Sequence, residues 1–208
     1  MTKVAAARSH SLPGTRGRPR QFEMVEAVDK AIPVLCERGF HGTSIHHLAE
    51  AMQLTVGSIY KAFKDKRGVF LAAFDRYRMI RRGKITESMA GAETGRQKLR
   101  ALLGLYAVSS HGESGRRGCL VVGSVNEIST FDPEAAKRIE NAFASNEEFI
   151  LDLIRLGQDD GSISKSVDAA ATAISLLCVM NGMRVVGKAG STAAEMNAVA
   201  ETAMKLVT

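Results

Sequence analysis

The stretch GTSIHHLAEAMQLTVGSIYKAFKDK, residues 42–66, constrains the fold more than any other part of the chain. Apolar residues recur at helical spacing at Ile45, Leu48, Ala49 and Met52, the pattern breaks at Gln53-Leu54, and it resumes at Ile59 and Phe63. Helices this short are marginal alone, so the pair is predicted to lock together as a helix-turn-helix. Thr43 is expected to cap the first helix and Thr55 the second. Upstream, Phe22, Val25, Val28, Ile32 and Leu35 predict a further helix, with Pro33 inside it and Gly39 at its end. Downstream, Asp65 is expected to cap a fourth helix that carries Val69, Phe70, Phe74 and Tyr77 and runs on into RYRMIRRGK.

A helix that reads DNA keeps small or polar side chains where the base edges lie. Thr55, Val56, Gly57, Ser58 and Lys61 meet that demand, and Gly57 permits close backbone approach. Thr43, Tyr60, Lys64 and Lys66 flank them and are expected to hold phosphates. Residues 1–90 carry 16 Lys and Arg against 8 Asp and Glu, whereas residues 91–208 carry 12 against 14. The basic first part therefore meets a polyanion and the second part does something else. In TRGRPRQF, Arg16, Arg18 and Arg20 are expected to form an arm, disordered when free, that reaches the neighbouring minor groove.

Beyond the fourth helix the periodicity predicts helices at about 95–110, 118–130, 133–157, 168–187 and 192–207. Asp132-Pro133-Glu134 is a helix start, and Asp168 a cap. No segment alternates with period two over any length, so an all-α fold is expected. It comprises a disordered basic arm at 1–20, a three-helix helix-turn-helix domain at 21–66, and, joined by the long fourth helix, a helical bundle at 67–208. Cys36, Cys119 and Cys178 fit neither a disulfide framework nor a metal site, which points to a reducing cytoplasm. Cys36 and Cys178 read as core residues. Cys119, beside Arg116 and Arg117, reads either as a small buried hydrophobe or as a redox-sensing thiol. His46 and His47, adjacent on a helix, diverge by about 100° and cannot chelate one metal from a single face. The apolar run from Ala169 to Met180 is too short to span a bilayer, so no membrane association is expected. No phosphate-binding loop, nucleophile elbow or metal-spaced cluster marks an enzyme, and no cofactor is expected.

The segment GFHGTSIHHLAEAMQLTVGSIYKAFKDKRGVFLAAFDRY resembles the DNA-binding domain of TetR/AcrR-type transcriptional regulators across residues 18–80. The match rests on Gly39-Phe40, Thr43-Ser44, Leu48-Ala49, Gly57-Ser58-Ile59-Tyr60, Phe63 and Lys66. The chain departs from that family at Gln53, where Gly is usual; if φ > 0 is required there, Gln costs roughly 1 kcal/mol. The resemblance implies a homodimer that places one helix of each subunit in the major groove of a palindromic double-stranded operator. A small-molecule effector bound in the second domain would release a repressor of this kind. For that site Tyr77, Tyr106, Asn126 and Asn181 are candidate polar handles. Ile174, Leu177 and Arg184, with Met196 and Val199, form either a dimer seam or the domain's own core. Competing readings are an architectural DNA binder without an effector, a redox-sensing regulator acting through Cys119, and a helical enzyme.

Overall fold

The computed structural model describes residues 18–208, and among these it contains helices and turns but no strand. Helix α1 spans Arg18–Arg38. Pro19 sits in its first turn, where a missing N–H costs nothing. The helix therefore starts ahead of the expected Phe22. Arg18 and Arg20 belong to it rather than to an arm, and Arg16 lies outside the described residues. Gly39, with φ 70°, closes α1 by donating its N–H to Leu35 O at 3.0 Å.

Helix α2 (Ile45–Met52) is capped by Ser44, not Thr43. Ser44 Oγ accepts from His47 N at 3.1 Å, and His47 Nδ1 accepts from Ser44 N at 3.2 Å, a reciprocal capping box. The buried Thr43 hydroxyl instead donates to Gly39 O at 2.6 Å and closes the α1–α2 corner. Gln53 then turns the chain in the left-handed conformation, φ 56° and ψ 40°. Lys30 Nζ donates to Gln53 Oε1 at 2.6 Å, a contact that glycine could not offer. Thr55 and Asp65 cap helices α3 (Val56–Phe63) and α4 (Lys66–Ser88) as expected.

Two apolar cores follow. The first joins α1–α4 through residues such as Leu35, Leu48, Ile59, Phe70 and Phe74, but it also takes in Leu120, Val121, Ile139 and Ala142 from farther along the chain. Phe40, Phe70 and Phe131 cluster in this core with centroids 4.9–5.2 Å apart, Phe70 stacked on Phe131 and Phe40 edge-on to Phe70. The second core packs α5 (Gly95–Ser109), α8 (Pro133–Asp159), α9 (Ala169–Ala189) and α10 (Ala193–Ala203) around Leu102, Ile154, Leu176 and Met196.

The single helix expected at 118–130 is broken. Helix α6 (Gly112–Arg117) ends at Gly118, whose φ of 87° takes the chain out of helical geometry; α7 (Leu120–Asn126) and a 3-10 turn (Ile128–Thr130) follow. The glycines at 112, 115 and 118 lower helix propensity enough to hide α6 from a periodicity search. Helix α9 matches the helix expected at 168–187, but its apolar character does not stop at Met180. Its 21 residues are long and apolar enough to cross a bilayer by length and composition, so length does not decide against a span as expected. One face instead buries Leu176, Met180, Met183 and the charged Arg184 within the protein.

Candidate nucleic-acid interface and cavity

Helix α3 has one committed face and one free face. Ile59 is fully buried, and Leu54 and Phe63 pack against the same core, so the helix cannot rotate without losing that burial. Gly57, Ser58, Lys61 and Ala62 are left exposed together. Thr55 is exposed too, with its Oγ1 occupied as the helix cap and 2.9 Å from Ser58 Oγ. Val56 is half-buried and is the least presented of the five expected base readers.

The four expected phosphate holders divide. Tyr60 is 51% exposed, and Lys64 is exposed at the end of α3. Lys64 adopts φ 72° and ψ −47°, a strained conformation for a residue with a side chain. Thr43 and Lys66 turn inward. Thr43 is buried in the corner hydrogen bond. Lys66 Nζ donates to Phe40 O and Thr43 O, each at 3.0 Å, and lies 4.2 Å from the Phe40 ring centroid. Both hold the corner shut rather than facing solvent, because the backbone carbonyls of Gly39, Phe40 and Thr43 in the α1–α2 turn need donors. His47 has a donor at each ring nitrogen, Ser44 N at Nδ1 and Arg38 Nη1 at Nε2, 3.3 Å away.

A cavity of about 730 Å³ lies among α4, α5, α7, α8 and α9. It brings together Tyr77, Tyr106 and Asn181, three of the four expected handles. Asn126 is not among its lining residues; it ends α7 in solvent. Burial raises the phenol pKa of Tyr77 well above its ordinary value, and that of Tyr106 likewise, so both stay protonated. Cys119 also lines the cavity and accepts from Tyr77 Oη at 3.3 Å. Its basic neighbour Arg117 engages Glu113 at 2.6 Å and lies 3.9 Å from Glu37. The Cys36 thiol is pushed up to about 12, first by burial and then by the nearby Cys119. Cys178, expected in the core, is exposed on α9.

Residues 27–73 match a family model described as bacterial regulatory proteins, tetR family, and residues 95–203 match the tetracyclin repressor-like C-terminal domain. The chain belongs to the tetR family. It is 25% identical over 195 residues, 92% of each chain, to the HTH-type transcriptional repressor ComR of Escherichia coli K12. Among solved structures, a cysteine mutant of the TetR family regulator CifR, complexed with 26-bp double-strand operator DNA, is 27% identical with a TM-score of 0.78. That match covers 90% of this chain and 98% of the CifR chain. A TetR regulator from Chloroflexus aurantiacus shares the fold at TM-score 0.82 and 23% identity, covering 91% of this chain and 96% of that one. The protein is thus a DNA-binding transcriptional regulator and not an enzyme.

Not all of the expected seam lies on the surface of this tetR-family chain. Leu177, Arg184 and Met196 are buried in their own subunit. Ile174 and Val199 remain exposed at 43% and 36%. The reason is helix phase: Leu177 and Arg184, seven apart, face inward, while Ile174, Cys178 and Val185 share the outer stripe. Sequence reasoning also missed a tether between the tetR-type DNA-binding domain and the rest of the chain. Phe40 N donates to Glu127 Oε2 at 3.0 Å, and His41 Nε2 lies 2.6 Å from Thr130 Oγ1. These pairs stand 87 and 89 positions apart, and no local pattern announces them.

Proposed function

We propose that the protein is a dimeric repressor that reads a palindromic operator with α3 and leaves it when a small molecule fills the cavity. The observation that carries this reading is the divided α3. Its inner face is fixed by Ile59 and Phe63, while Gly57, Ser58 and Lys61 stand exposed, as do Tyr60 and Lys64. Base reading falls to Thr55, Gly57, Ser58 and Lys61, and phosphate contact to Tyr60 and Lys64. CifR's complex with operator DNA supports the same use of the fold. The exposed stripe of Ile174, Cys178 and Val185 on α9, with Val199 on α10, supports dimerisation by a second copy covering it. A cytoplasmic location agrees with the three free cysteines.

Selection from a random duplex library tests the reading. A preferred site is expected to bind ~10³-fold or more tighter than random DNA. Lys61→Ala and Ser58→Ala should change the preferred sequence, whereas Tyr60→Phe and Lys64→Ala should weaken all sequences alike. A steep salt dependence with no sequence preference would make the protein an architectural binder instead.

A further inference from the structure

The cavity is unequally charged. Arg81 of α4 lines it, donating one N–H to Ser109 Oγ at 2.9 Å and lying with its guanidinium carbon 5.1 Å from the Tyr106 ring centroid. No carboxylate stands within ion-pair distance of Arg81 among the described residues. Behind the cavity, Arg184 is 4% exposed and donates to Gly118 O at 2.5 Å and Ser114 O at 3.5 Å, while its Nε and Nη1 have no partner. It also lacks a carboxylate. It lies three residues along α9 from the cavity-lining Asn181, and its charge is felt at Tyr106. Arg81 thus faces the cavity without a carboxylate partner, and the buried Arg184 behind it adds positive potential that favours an anion there.

The other groups fit the same visitor. Tyr77 and Tyr106 are neutral hydroxyl donors. Tyr77 Oη spends its proton on a thiol, a weak acceptor that an oxyanion outcompetes. Ile85, Val121 and Phe149 supply apolar wall. The carboxylates that line the cavity, Glu148 and Asp152, are both exposed, where solvent screens them. Arg78, half-buried on α4, adds positive charge, while Arg82 is exposed and screened like the two carboxylates.

We propose that the cavity takes a small organic acid, its carboxylate held by Arg81 and the Tyr77 and Tyr106 hydroxyls and its apolar body laid against Ile85, Val121 and Phe149. This deepens the effector reading above and rests on it only for the consequence at DNA, not for binding itself.

The test is calorimetric titration of the full chain, without DNA, with unbranched carboxylates from butyrate to decanoate and with their amides. The acids should bind at least about tenfold tighter than the matched amides, a gap that one charge-assisted contact supplies. Arg81→Gln should erase the gap by lowering acid affinity to that of the matched amide, and Arg81→Lys should keep part of it. Helical circular dichroism during melting confirms that each variant is folded, and Tyr77→Phe, which keeps the ring, provides an independent variant with a narrowed gap. Equal binding of acids and amides, a gap that survives Arg81→Gln, or no acid binding below about 1 mM overturns the proposal. DNA affinity with and without the bound acid is measured separately. An acid that binds as described but leaves DNA affinity unchanged supports the ligand class and refutes the effector role.

Discussion

Phe40 N donates to Glu127 Oε2 at 3.0 Å, which fastens the corner between α1 and α2 to the segment that follows α7. Helix α7 begins beside the cavity, where Val121 is one of the wall residues. One short helix therefore touches the cavity at its start and leads into the DNA-binding corner at its end.

Removing the acceptor should be costly. Glu127→Ala leaves a part-buried N–H unpaired and is expected to lower stability by about 1–3 kcal/mol, whereas Glu127→Gln keeps an acceptor oxygen and should restore most of it. Urea unfolding midpoints of the three proteins decide this. Equal losses in both variants would assign the effect to the charge rather than to the Phe40 contact.

Lys64 and Lys66 should separate in assay. Lys64→Ala is expected to reduce the slope of log affinity against log salt by about 1, with no change in folding stability. Lys66→Ala removes the donor from Phe40 O and Thr43 O and should lower the unfolding midpoint while leaving the salt slope intact. A reduced salt slope in Lys66→Ala would return that residue to the phosphate-facing role expected from sequence.

Gly57 offers a sharp contrast between folding and binding. A Cβ built there meets nothing closer than Thr55 Oγ1 at 4.0 Å. Gly57→Ala should therefore raise stability by up to about 1 kcal/mol, as alanine does within helices. The added methyl stands on the face proposed to meet base edges, so DNA affinity should fall. Electrophoretic mobility shifts beside a thermal melt show whether the two effects part company.

Arg67 makes a bidentate pair with Asp132, at 2.5 and 2.7 Å, and also reaches Glu134 at 2.7 Å. The Arg67 hydrogen bonds hold the Asp132 carboxyl well below the usual carboxylate range. A folded-state pKa below the unfolded value means that this stabilisation is present above the unfolded pKa, about 3.9, and is lost as pH falls through the lower folded value. Asp132→Asn keeps a capping side chain for α8 and should melt below wild type at neutral pH. The gap should narrow as pH drops below about 4. A gap that stays constant through acid would show that the pair contributes nothing through charge.

Much of the helix pattern, in the DNA-binding half and beyond it, was legible because its signals are local. The period of Ile45, Leu48 and Met52 and the caps Thr55, Asp65, Asp132 and Asp168 each act within a turn or two of themselves, and all are found in place. The losses occur where a choice is settled from a distance. Thr43 and Ser44 are both competent caps, and it is Gly39 O, presented by the end of α1, that claims the Thr43 hydroxyl. Lys66 reads as a surface cation until the corner carbonyls are seen to need it. On α9, composition alone did not separate the inward Leu177 and Arg184 from the outward Ile174 and Cys178, because a helix apolar on both sides hides its phase. Glu127 and Thr130 meet their partners across nearly half the chain.

Lys188, near the end of α9, donates to Cys36 O and Glu37 O at 3.1 Å each. The helix whose outer stripe is proposed to meet a second copy thus also grips the last turn of α1. Among its attachments, the reading head is therefore held by α7 from the cavity side and by α9 from the side of the outer stripe. In the proposed dimer, rocking of one subunit against the other would tilt the head even with the cavity empty, so the distance between two reading heads would follow the α9 packing as much as anything the cavity holds.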